Sequence, residues 1–270
     1  VSAVVSIDVY DYSQATEHKI VPNDRVGDDR FGYSVSISGD YAIVGSIYDD
    51  PGGTVNAGSA YIFKRNGTTG AWSEQQKIVT TDKVTEDYFG QSVAISGDYA
   101  IVAAYGKVYP AYTGAAYIFT RSGTTWSEQA KLTAGDAASG DRFGWSVSLS
   151  GDYAIVGAPN NDDVPNDSGS AYIFKRDGDT WSEQTKLLAG DAASNDVFGY
   201  SVAISGDYAI VGARLKSGGG ASYIFKREGM TWSEIVKIKG GDTTGTDGFG
   251  QSVAIEGGYA IVGAWQKTGG

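Results

Sequence analysis

The chain has no cysteine, one histidine, one methionine and five prolines in 270 residues, and no apolar run approaches the length needed to cross a bilayer. Without cysteine, disulfides and thiolate metal sites are excluded. The single imidazole, His18, stands between Glu17 and Lys19, so Ser-His and Cys-His nucleophile arrangements have little to assemble from, and an enzyme is not expected. Basic residues are also scarce: 21 Lys and Arg face 32 Asp and Glu, a formal charge of −11. Phosphate backbones are bound by clustered Lys and Arg, so a nucleic-acid partner is not expected. The first residue is a valine, with no charged and apolar leader behind it, and membrane insertion is not expected either. Helical patterning is nearly absent.

What is present is repetition. A block reading D-x4-D-x-F-G-x-S-V-[AS]-[IL] places Phe-Gly pairs at Phe31, Phe89, Phe143, Phe198 and Phe249, and each runs on into a Y-A-I-V segment. Periods of 51 to 58 residues with short strands and Gly-rich turns predict radial β repeats, one four-stranded blade per period. In the third copy the strands are expected at 143–149, 153–158, 170–175 and 181–187, rich in aromatic and β-branched residues. Gly151-Asp152 and Asp177-Gly178 supply hairpin turn chemistry between them. Each copy reads as an up-and-down meander.

The chain ends extend the pattern. The last copy contains its first two strands and stops, whereas Lys, Asp and Asp recur 12, 7 and 2 residues before every Phe-Gly pair, including Lys19, Asp24 and Asp29. The segments 6–12 and 15–20 are therefore expected to be the third and fourth strands of the fifth blade. The predicted fold is all-β: one domain over 1–270, a five-bladed propeller of four-stranded antiparallel blades. N-terminal outer strands would pair with C-terminal inner strands to close the ring and remove its free edges.

The F-G-x-S-V elements and Gly157-Ala158-Pro159 resemble the FG-GAP repeat proteins, the family of the integrin α-chain propeller, with related propellers among lectins. The resemblance covers essentially the whole chain. It implies a binding or adhesion module, an extracellular or cell-surface setting, and calcium in D-x-D-x-D-G loops between the first two strands of a blade. Here those loops are reduced to Gly39-Asp40, Gly97-Asp98, Gly151-Asp152, Gly206-Asp207 and Gly257-Gly258. One carboxylate in a tight turn does not assemble six or more oxygens around a cation, so the family's calcium sites do not carry over.

Two readings remain for the paired aspartates before each Phe-Gly. Asp136 with Asp141 and Asp191 with Asp196 represent carboxylates that could meet a calcium ion, or that accept loop N–H groups and brace the entry to each blade. Recurrence in every copy favours bracing, and no cofactor is expected. Trp72, Trp126, Trp181 and Trp232 recur at one position of the fourth strand and are expected to pack between blades.

Function is expected where near-identical copies diverge, in the loops from strand two to strand three, which a meander gathers on one face together with the loops entering each blade. These carry Tyr48, Tyr105, Tyr109, Tyr112, Asp162 and Asp163. The residue after each Phe-Gly also varies: Tyr33, Gln91, Trp145, Tyr200 and Gln251. Aromatic rings beside carboxylates and amides suit a glycan or a protein contact. The expected ligand site is Tyr48, Tyr105, Tyr109, Tyr112, Trp145, Asp162 and Asp163 on a monomer. The alternative is a structural repeat or an engineered, consensus-type scaffold without a dedicated ligand, supported by the near-verbatim recurrence of Trp-Ser-Glu-Gln, a pattern that recent amplification or consensus design would produce.

Overall fold

The structure, a computed structural model, describes residues 3–4, 17–162 and 167–266. Twenty strands follow one another with no α-helix among the described residues. Blade 1 is β3 (Phe31–Ser38), β4 (Tyr41–Ser46), β5 (Ser59–Arg65) and β6 (Trp72–Ile78). Blade 2 is β7 (Val93–Ser96), β8 (Tyr99–Ala104), β9 (Ala115–Ser122) and β10 (Thr125–Leu132). Blade 3 is β11 (Ser146–Ser150), β12 (Tyr153–Ala158), β13 (Ser170–Asp177) and β14 (Thr180–Leu187). Blade 4 is β15 (Phe198–Ser205), β16 (Tyr208–Ala213), β17 (Ala221–Glu228) and β18 (Thr231–Ile238). Each is an antiparallel meander in sequence order. The chain ends form two-stranded sheets, β1 (Ala3–Val4) with β2 (Lys19–Ile20), and β19 (Phe249–Glu256) with β20 (Tyr259–Ala264).

Blades are fastened by repeated close approaches. Gly58, Gly114, Gly169 and Gly220, just before each third strand, bridge in parallel to Phe89, Phe143, Phe198 and Phe249 of the following blade. A Cβ on any of these glycines would stand 1.9 to 2.1 Å from that phenylalanine's carbonyl oxygen, so no side chain fits. The Phe rings then pack edge-on against the tyrosine of their own third strand, with Phe143–Tyr172 and Phe198–Tyr223 centroids 5.5 Å apart. The buried core runs as successive clusters, each shared by two neighbouring blades. First strands of adjacent blades pack closely while fourth strands barely touch, the spacing of spokes about an axis. Trp126, Trp181 and Trp232 are buried between blades, each donating Nε1–H to a glutamine of the preceding blade, so the packing reading of these residues holds.

Four sheets have four strands and two have two. The pairs Ala3↔Ile20 and Val4↔Lys19 copy the register of Ala60↔Ile78 and Tyr61↔Lys77, so β1–β2 has the form of strands three and four, and Ile20 joins the core of blade 1. The third-strand position is thus occupied by Ala3–Val4, upstream of the expected 6–12, a segment that lies outside the described residues. Among the described residues β20 pairs with β19 alone, and no Phe-Gly pair lies against Gly263. Ile261 is 72% exposed, whereas its counterparts Ile101, Ile155 and Ile210 are fully buried. The expected hydrogen-bonded closure of the ring is not shown among the described residues.

Candidate functional site

Strand order sends the 1–2 and 3–4 hairpins of every blade to one face and the 2–3 and blade-entry loops to the other. On the hairpin face Arg65, Arg121, Arg176 and Arg227 each bond the aspartate of the adjacent Gly-Asp turn, Asp40, Asp98, Asp152 and Asp207. The last three also lie 4.4 to 4.6 Å over Tyr41, Tyr99 and Tyr153 of the preceding blade. Those guanidinium groups are neutralised where they sit.

On the loop face the repeated aspartates brace the blade entries. The second of each pair accepts a backbone N–H three residues back, from Val26, Val84, Ala138, Ala193 and Thr244, at 2.7 to 2.9 Å. The first accepts the third-strand tyrosine hydroxyl and the fourth-strand lysine: Asp136 with Tyr172 and Lys186, Asp191 with Tyr223 and Lys237. Burial would raise these first carboxyls, but the ammonium and hydroxyl donors outweigh it: Asp136 falls below the ordinary range and Asp191 falls to about 2. Asp87 and Asp141 shift upward, burial overcoming their donors.

In blades 2 and 4 a buried lysine from the 2–3 loop lies between the two carboxylates. Lys107 Nζ is 2.8 Å from Asp87 and 3.1 Å from Asp82, and Lys216 Nζ is 2.7 Å from Asp196. Asn161 takes that place in blade 3, donating to Asp141 at 3.1 Å. An ammonium at the centre of the oxygen cluster is a poor fit to a second, divalent cation, so these residues act as loop braces.

A chain of aromatic rings crosses the loop face. Tyr48 and Tyr88 have centroids 5.8 Å apart, Tyr88 and Tyr105 stack at 5.1 Å and 11°, Tyr105 meets Trp145 edge-on at 5.1 Å, and Trp145 meets Tyr200 at 5.5 Å. Arg30 caps Tyr48 at 4.3 Å, Arg214 caps Tyr200 at 4.2 Å, and Arg142 lies 5.7 Å from the Trp145 ring. No ion pair is made by these three arginines among the described residues. The rings are half-buried, and burial pushes the Tyr105 hydroxyl up to about 12.

Tyr48, Tyr105 and Trp145 of the expected site are therefore brought together. Tyr109 and Tyr112 form their own edge-on pair at 5.4 Å outside the ring chain. Asp162 accepts the Asp167 N–H at 2.8 Å and shapes its loop. Asp163 lies outside the described residues. Tyr88, Arg30 and Arg142 were missed. They occupy the residue just before Phe-Gly, where the copies read Arg30, Tyr88, Arg142, Val197 and Gly248, a divergence visible in the sequence. All five have positive φ, between 53° and 73°, a backbone state that turns the side chain out of the first strand's run. Two recesses flank the ring chain: one of about 490 Å³ beside Arg30 and Tyr48, also lined by Asp28 and Asp29, and one of about 270 Å³ between blades 3 and 4.

No curated protein matches the chain in sequence. The FG-GAP repeat profile matches it five times, over residues 15–63, 72–119, 126–174, 181–225 and 232–270. Repeats over most of its length, four of whose five Phe-Gly pairs fasten one blade to the next among the described residues, show that the chain belongs to the FG-GAP repeat family.

Proposed function

We propose that this chain is a non-enzymatic recognition module that binds a glycan or protein ligand through its loop face. One observation carries the reading: half-buried aromatic rings run across several blades there, capped by arginines that have no carboxylate partner. Rings offer apolar contact at low entropic cost and spare guanidinium forks offer oriented donors, the composition of binding hot spots. FG-GAP repeats occur in adhesion and binding modules and the family is generally non-enzymatic. An extracellular or cell-surface setting and a monomeric state belong to the same reading. A glycan array and a protein-capture screen, run with the parent chain and with Tyr105→Ala/Trp145→Ala, test it. Ligands retained by the parent and lost by the variant support the module; binding that is indifferent to both rings returns the chain to the scaffold reading.

The same proposal takes β1–β2 as the outer half of the blade whose inner half is β19–β20, on the strength of the shared register. Ile261→Lys compared with Ile210→Lys distinguishes the states. In a closed ring both lysines would be buried and both variants would melt early, whereas in an open arc only Ile210→Lys would.

A further inference from the structure

We propose that the cleft between blades 3 and 4 binds an acidic saccharide, a uronate or a sugar sulfate, whose ring packs on Trp145 and Tyr200 and whose anionic group is held by Arg142 and Arg214. The inference rests on the loop-face reading above and narrows it to one site and one ligand class.

The cleft has a volume of about 270 Å³, and its walls include Trp145, Tyr200, Val197 and Leu215. That is just below the usual range of ligand pockets and corresponds to a single ring-sized unit. The Trp145 indole and the Tyr200 phenol, in contact at 5.5 Å and inclined at 48°, give it apolar surface of the kind that covers sugar C–H groups beside the Arg214 guanidinium that caps Tyr200. Two guanidinium groups reach it from opposite blades, Arg142 from the loop entering blade 3 and Arg214 from the end of β16. Arg214 Nε is buried and has no hydrogen-bond acceptor. On the hairpin face Arg121, Arg176 and Arg227 also leave Nε unpaired, but each commits its other nitrogens to an aspartate and a glycine carbonyl. Arg214 makes no such bonds, so its whole fork is available to a carboxylate or sulfate. Among the described residues the one carboxylate lining the cleft, Asp167, accepts the Asn160 side-chain amide at 3.0 Å. The larger recess at Arg30 is a weaker anion site, since Asp28 and Asp29 line it.

An acidic peptide is the competing ligand, and the backbone disfavours it. Peptides commonly gain affinity by adding to a free strand edge. Here the main-chain groups at the cleft are already spent on one another: Phe198 N–H bonds Ser168 O at 2.9 Å and Val197 N–H bonds Asp167 O at 3.2 Å. Recognition is left to side chains around a ring-sized hollow.

The test titrates the full chain calorimetrically with oligogalacturonate, its methyl ester, a sulfated galactan and poly-glutamate. Binding of oligogalacturonate or sulfated galactan is expected, weakening with salt, with the methyl ester at least tenfold weaker. Arg142→Ala and Arg214→Ala are each expected to weaken that binding about tenfold or more with an unchanged far-ultraviolet spectrum, while Asp152→Asn on the opposite face leaves it alone. Which of the two anionic saccharides binds separates carboxylate from sulfate recognition. Equal binding of poly-glutamate, or equal binding of the methyl ester, overturns the assignment. So does loss of neither anionic saccharide in the arginine variants. If the anionic saccharides fail but array ligands are still lost by Tyr105→Ala/Trp145→Ala, this inference fails alone; if no ligand depends on those rings, the loop-face reading fails with it.

Discussion

Both faces of the molecule lay arginines over aromatic rings, and among the described residues only the hairpin face pairs those arginines with carboxylates. At the hairpins Arg176 stands over Tyr99 and is bonded to Asp152; at the loops Arg214 stands over Tyr200 and is bonded to no carboxylate. The hairpin arrangement recurs blade after blade, which marks it as part of the scaffold. The loop arrangement occurs at Arg30, Arg142 and Arg214 with different neighbours each time. Cation and ring together are therefore uninformative about function in this fold. The missing carboxylate is what distinguishes the loop-face arginines from the hairpin braces.

The largest effect expected from breaking this contrast lies under the loop face. Lys107→Met removes the ammonium from Asp87, which is 1% exposed, and leaves a carboxylate buried without its cation. A loss of about 3–5 kcal/mol is expected. For a domain of this size that is a fall in Tm on the order of 10 °C, read by calorimetry. Adding Asp87→Asn to Lys107→Met should recover part of it; a Tm unmoved by Lys107→Met would show that the internal ion pair is not formed.

The next effect is on binding rather than folding. Tyr105→Ala and Trp145→Ala should each weaken a loop-face ligand by about 1–3 kcal/mol, measured as Kd, if the ring chain is the anchor. Tyr109→Ala, outside that chain, should cost little. The reverse ranking would move the site to the rim of the 105–114 loop.

A smaller effect is expected in acid. The folded-state value of Asp191 is depressed to about 2, against about 3.9 in an unfolded chain. Its contribution is present above the unfolded value and is lost as pH falls through the folded one. Asp191→Asn should therefore narrow the difference in Tm between pH 5 and pH 2. Asp87 has the opposite sign: its raised value means that protonation in the same range favours the folded state. An Asp191→Asn variant with the parent's full acid sensitivity would assign that sensitivity elsewhere.

The smallest effect belongs to the hairpin face. Asp152→Asn breaks an exposed ion pair and should cost no more than about 1 kcal/mol, shrinking further in high salt. A cost of several kcal/mol would show that these turns are structural in a way that their exposure does not suggest.

Much of the fold was legible because its determinants are local. The second strand of the third copy was expected at 153–158 and is β12 (Tyr153–Ala158), since a Gly-Asp turn before it and a run of Ala, Ile and Val within it set both conformation and start. The first strand was expected from Phe143, but β11 begins at Ser146: the Gly144 and Trp145 N–H groups both bond the one Gly157 carbonyl, and the ladder with β12 is regular only from Ser146 onward. At the N-terminus β1 lies at Ala3–Val4, where Val4 stands in the slot that the other copies fill with tyrosine, removing the aromatic marker of the third strand. The binding candidates were legible only in part. Divergence between copies pointed to Tyr48, Tyr105 and Trp145, and applied one residue before Phe-Gly it would have added Tyr88 and Arg142. It also selected Asp162, whose variation serves the shape of its own loop.

The amino-acid sequence by itself determined the period, the strands and their turns, the family, and the aspartates that brace each blade entry, because these rest on backbone preferences and on partners placed at a constant offset in every copy. The tertiary structure decided which rings meet across blades, which arginines find a carboxylate, and that among the described residues β19 and β20 pair only with each other. Those outcomes depend on the rotation and spacing between neighbouring blades. Rotation and spacing are set by close backbone contacts, such as Gly169 against Phe198, and accumulate from blade to blade over distances that no local pattern records.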